Sequence, residues 1–78
     1  MRRKPTLRQL DYLRLALLKP KDVAEELVVA RSTARRMFQN IMRKYGAATK
    51  EAALFLAIMF GDINTLDVRI PMKTERIG

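Results

Sequence analysis

The sequence has no cysteine and no histidine. Their absence excludes a disulfide scaffold, a cysteine nucleophile, a Cys/His zinc site and any histidine-based acid–base chemistry. Acidic residues are scarce too: eight Asp and Glu stand against sixteen Lys and Arg, for a net charge of +8. The eight carboxylates are scattered, without the pairing that general acid–base catalysis requires. No nucleophile–base pair and no glycine-rich phosphate loop occurs. The chain therefore reads as a non-enzyme with no metal and no cofactor. Long apolar runs are missing as well. The longest, Ala52–Phe60, is nine residues, less than half of the roughly 20 that span a bilayer. Met1–Pro5 is basic, but no apolar h-region or small-residue cleavage site follows it. No membrane association is expected, and the default location is the cytoplasm. What is present is apolar content of 49% over 78 residues. That is too much for a disordered polycation and enough for one small folded domain.

The charge is unevenly laid out. Residues 1–45 hold twelve basic and four acidic residues, whereas residues 46–78 hold four of each. From Leu27 to Lys50 there are six basic residues and no acid. Such segregation suits a surface that faces a polyanion; the alternative is a solvated basic face that serves solubility.

Proline and glycine divide the chain into a basic arm (1–5), a helical domain (6–61) and a tail (62–78). The first helix is expected over about Thr6–Leu18, with Leu10, Leu13 and Leu17 on one face. Lys19-Pro20 interrupts it, and Pro20 suits the first position of a second helix, about Pro20–Val28, with Asp22 in its first turn. A third helix spans about Ser32–Tyr45. At about 100° per residue, Ala34, Phe38, Ile41 and Tyr45 fall within about 40° of one direction. Arg36, Gln39, Arg43, Ser32 and Asn40 lie opposite, with Arg35 and Lys44 on the flanks. Gly46 ends this helix and Thr49 caps a fourth, about Lys50–Phe60, which is apolar all round after Glu51. Its surplus face, carried by Leu54, Phe55, Ile58 and Met59, needs cover from another chain or from the tail. Leu66, Val68 and Ile70 alternate with Asp67 and Arg69, predicting a short strand over 66–70 that Pro71 ends.

A short helix, a tight turn at about Val28–Arg31 and a cationic amphipathic helix form a helix-turn-helix pattern. A helix cylinder fits the major groove of B-DNA, where arginine matches guanine O6/N7, and Gln or Asn matches adenine N6/N7. Arg36, Gln39, Asn40 and Arg43 supply that chemistry on one face. Ser32 and Thr33, together with Arg31 and the free amides at the helix start, suit phosphate oxygens.

The run Lys21-Asp22-Val23-Ala24-Glu25-Glu26-Leu27-Val28-Val29-Ala30-Arg31-Ser32-Thr33-Ala34-Arg35 resembles the helix-turn-helix motif of the LuxR/FixJ-type (GerE-like) family, K-E-I-A-x-x-L-x-[LI]-S-x-x-T-V-[KR]. The likeness continues through Ile41, Lys44-Tyr45-Gly46, Thr49-Lys50 and Ala52-Ala53. It also reaches back to Thr6-Leu7-Arg8-Gln9-Leu10-Asp11-Tyr12-Leu13, covering about 55 of the 78 residues. The resemblance implies an all-α, four-helix domain with a short extended C-terminal tail, whose third helix enters the major groove and whose fourth mediates dimerisation. It places Arg35, Arg36 and Gln39 at base-contacting positions, and Thr33 and Lys44 at phosphate-contacting ones. There are departures. The first connection is about two residues short, Gln9 stands for the usual Glu, Ala30 for the capping Ser, and Met37 for a frequent His. With Ala30 there, capping must move to Ser32 or be lost, at a cost of roughly 1 kcal/mol. Within these residues no receiver or ligand-binding domain precedes the motif.

The expectation is a nucleoid-associated transcriptional regulator that binds double-stranded DNA as a homodimer. The alternative is an interaction module that docks on RNA polymerase, a sigma factor or another regulator with little DNA contact. In that case the 66–70 segment could add a strand to a partner, or simply fold back over the fourth helix.

Overall fold

A computed structural model of the chain describes residues 4–71. Four helices follow one another: α1 (Leu7–Arg14), α2 (Pro20–Leu27), α3 (Arg31–Tyr45) and α4 (Lys50–Met59), with a 3-10 turn at Thr65–Asp67. No strand occurs among the described residues, so the architecture is an all-α, four-helix domain.

Thr6 and Gln9 start α1 by exchanging backbone-to-side-chain bonds of 3.0 and 3.1 Å, a capping box with glutamine in the reciprocal role. The helix stops at Arg14, four residues earlier than periodicity suggests. Beyond it Leu15, Ala16 and Leu18 donate to carbonyls three residues back. Three residues per turn rotate the chain faster than 3.6. Leu15, Ala16 and Leu18 consequently enter the core, and Leu17 faces outward at 38% exposure.

Pro20 opens α2 at its first position, preceded by Lys19 in extended geometry. The helix ends at Val28, whose φ of 55° and ψ of 53° are left-handed, while Val29 N–H closes the end by bonding the Ala24 carbonyl at 2.9 Å. A β-branched residue in this region costs roughly 1–2 kcal/mol, and the Val28 side chain is 87% exposed, so it recovers nothing by packing. Val28→Gly is therefore expected to stabilise the fold by about 0.5–1 kcal/mol, after the extra freedom of glycine in the unfolded chain is deducted. Thermal unfolding would show a rise of roughly 2–6 °C, and a fall would mean the strain is absent.

Three residues separate α2 from α3. Ala30 occupies the N-cap of α3 without any side-chain bond, so the cap is lost rather than transferred to Ser32. Gly46, at φ 68°, ends α3 in the left-handed geometry that suits glycine, and Ala47 N–H bonds the Met42 carbonyl at 2.9 Å. Thr49 Oγ1 caps α4 by accepting from Ala52 N–H at 3.0 Å.

α3 packs against each of the other helices. Ala34 and Ile41 are wholly buried and Phe38 nearly so, in one cluster with Tyr12, Leu13, Val23, Ala53, Leu54 and Ala57. The Tyr12 and Phe38 rings meet edge to face at 5.7 Å between centroids.

The 66–70 strand does not form. Asn64 Oδ1 accepts from Leu66 N–H at 2.9 Å and curls the chain into the 3-10 turn. Among the described residues no neighbouring strand is at hand to form a ladder; Arg69 N–H instead bonds the Arg14 carbonyl at 2.8 Å. The Arg69 guanidinium pairs with Glu26 at 2.9 Å. The described part of the tail thus lies across the ends of α1 and α2, not over α4. Residues 1–3 of the arm and 72–78 of the tail lie outside the described residues.

Candidate nucleic-acid interface

The outward side of α3 follows from its inward one. With Ala34, Phe38 and Ile41 committed to the core, Arg31, Ser32, Thr33, Arg35, Arg36, Gln39, Asn40 and Arg43 are all exposed. Every base-contacting residue expected from the sequence is therefore on the surface, and the helix brings them onto one side. The nearest side-chain contact among them is Arg43 Nη1 to Asn40 Oδ1 at 3.5 Å, the limit of a hydrogen bond.

The face carries no acid. Arg31 and Arg35, one turn apart, repel by roughly 0.2–0.5 kcal/mol. Arg31 also occupies the positive end of the helix dipole, where an anion is the stabilising group. With Ala30 offering no cap, the first amides of α3 lack an accepting side chain. An external anion would relieve all three conditions.

The two flanks differ. On the α1 side, the Lys44 ammonium donates to Gln9 Oε1 at 2.7 Å and to the Lys4 carbonyl at 3.3 Å. Lys44, expected at a phosphate-contacting position, is half-buried and already gives two of its three donors. Gln9 accepts as a neutral amide, and Lys44 is tied back against α1. On the α4 side, a groove of about 190 Å³ is lined by Pro20, Arg35, Phe38, Gln39, Met42 and Lys50. The Lys50 ammonium sits 5.1 Å from the Phe38 ring centroid and donates to the Leu18 carbonyl at 2.9 Å. Sequence reasoning passed over Lys50 because no local pattern links it to Phe38 or Leu18.

No family model, curated protein or solved structure matches the chain. What bears on function is then the chemistry of the α3 face and of α4.

On α4 the expected pairing surface is narrower than the sequence suggests. Leu54 is 5% exposed and belongs to the core with Ala53 and Ala57; it is not available to a second chain. Ile58 is half-buried against the same core. Phe55 and Met59 remain, at 62% and 63% exposure and one turn apart. Phe60 is half-exposed and stacks on Tyr45 at 6.3 Å, while the Tyr45 hydroxyl donates to Asp62 at 2.7 Å. Among the described residues no helix is long and apolar enough to cross a membrane. Nor does any group of three or more carboxylate, histidine or cysteine side chains form a metal site there.

Proposed function

We propose that the chain is a sequence-specific regulator of transcription that binds double-stranded DNA through α3 and pairs through Phe55 and Met59 of α4. It works without catalysis, on the nucleoid, in the cytoplasm. The observation that carries this reading is the α3 face: exposed Arg35, Arg36, Gln39, Asn40 and Arg43, with no acid among them. From Arg36 to Arg43 the helix advances about 10.5 Å, close to three base-pair steps of about 3.4 Å. One helix of this kind reads three or four base pairs. The resemblance to the LuxR/FixJ-type motif supports the same assignment of α3, and so does the three-residue turn that joins it to α2, the length usual between the two helices of a helix-turn-helix.

Selection of duplexes from a random pool by the purified chain tests the reading directly. Enrichment of one motif is the expected result. On that motif Arg36→Ala should cost about 1–3 kcal/mol and relax preference at a single base pair. A gel shift indistinguishable from wild type would remove Arg36 from the reading face. Binding that neutralises Z phosphates falls with salt at a log–log slope near −0.9Z. A flat response would instead favour docking on RNA polymerase, a sigma factor or another regulator.

A further inference from the structure

We infer that the groove between Pro20, the Phe38–Met42 flank of α3 and Lys50 seats one sugar–phosphate strand of the DNA, with Lys50 as its preset phosphate contact. This rests on the reading of α3 as the helix that enters the major groove. The groove's volume, about 190 Å³, is roughly that of six waters. It is too small for a drug-sized ligand. Its floor is apolar (Phe38, Met42 and Pro20), while Arg35 and Lys50 supply two cations and no acid lines it. A deoxyribose with its phosphodiester has the matching character: hydrocarbon on the ring face and one negative charge beside it. Free phosphate would leave the apolar floor unused.

Lys50 is prepared for the role in a way the exposed arginines are not. Its stem is half-buried, the Phe38 ring stabilises the ammonium, and the Leu18 carbonyl takes one of its three N–H donors. Two donors remain, and little side-chain freedom is left to lose on binding. Lys44, on the opposite flank, already gives two of its donors to Gln9 and Lys4. Gln39 and Arg35 line the groove and border the reading face, so a strand lying here carries bases that α3 can reach.

The test measures affinity of the full chain for a duplex between roughly 50 and 200 mM salt. Lys50→Met keeps the aliphatic stem on Phe38 and removes the charge. Its log–log slope should be shallower than wild type by about 0.9, with equal losses on matched and scrambled duplexes. Lys50→Arg should restore the slope. Lysine acetylation of the wild-type chain, read by mass spectrometry, supplies a measurement independent of the variants' folding. DNA should protect Lys50 more than Lys44. A wild-type slope in Lys50→Met, or acetylation of Lys50 indifferent to DNA, overturns the inference and leaves the DNA reading intact. A flat wild-type salt response overturns both.

Discussion

Replacing Phe55 and Met59 together by serine is expected to lower affinity for a duplex with two half-sites by on the order of 10²–10⁴, while each chain stays folded. Both side chains are mostly exposed and lie one turn apart on the side of α4 turned away from the core. Serine adds no charge, so the net charge of +8 is unchanged. The helix loses only about half a kcal/mol per site in propensity. What is lost is the second copy. An aromatic side chain buries roughly 150–250 Å², so these two residues supply well under the 800 Å² per partner of a standard interface. On the proposed reading the pair would accordingly be weak in free solution and would close on DNA, where a two-fold site holds both chains at high effective concentration. Wild type should bind with two chains per site, cooperatively; the double variant should bind with the affinity of one. Sedimentation of the protein–DNA complex distinguishes the two. Two chains per site in the variant would mean that pairing lies elsewhere.

Ile41→Ala is expected to be the most damaging of the conservative changes, costing about 2–5 kcal/mol. Ile41 is fully buried on α3, which packs against each of the other helices. A cavity there opens in the one core cluster to which all four helices contribute. A chain of 78 residues has roughly 4–12 kcal/mol to lose. Urea unfolding should show the midpoint fall steeply, and thermal melting should drop by roughly 10 °C or more. DNA binding should fall with it, in proportion to the folded fraction. Arg36→Ala gives the opposite signature, losing DNA affinity with an unchanged melting temperature. A small effect of Ile41→Ala would mean that the α3 core can repack.

The four helices and the polar side of α3 were legible because they are set by local rules. Thr6, Thr49 and Gly46 mark ends by their own chemistry, and the 3.6-residue period sorts Ala34, Phe38 and Ile41 from Arg36, Gln39 and Arg43. Features that depend on distant partners were not legible. The Lys44–Gln9 bond joins residues 35 apart and the Lys50–Leu18 bond residues 32 apart; neither leaves a trace in spacing. Leu54 and Phe55 are equivalent by composition, and only the direction of α3 decides which is core. The alternation of Leu66, Val68 and Ile70 suggested a strand, but a strand needs a neighbour, and the turn capped by Asn64 sends this segment to a helix corner instead. The early end of α1 arises in the same way, since the shift to tighter turns is what brings Leu15, Ala16 and Leu18 inward.

The anchoring of the tail at the α1–α2 corner also determines the order in which the molecule comes together. Connections of three to five residues join the four helices, so the α2–α3 and α3–α4 contacts are between chain neighbours, which favours quick assembly. The Arg69–Glu26 pair closes a loop of 43 residues, which costs about 2 kcal/mol more in chain entropy than a four-residue connection. An exposed ion pair returns at most about 1 kcal/mol, and one backbone bond about the same. Burial of Ile63 holds the near end of the segment, and half-buried Val68 packs the far end against the core. Peeling of residues 64–71 from that corner, with the helices intact, is therefore the expected first step of unfolding, and hydrogen exchange faster at these amides than in α3 would show it.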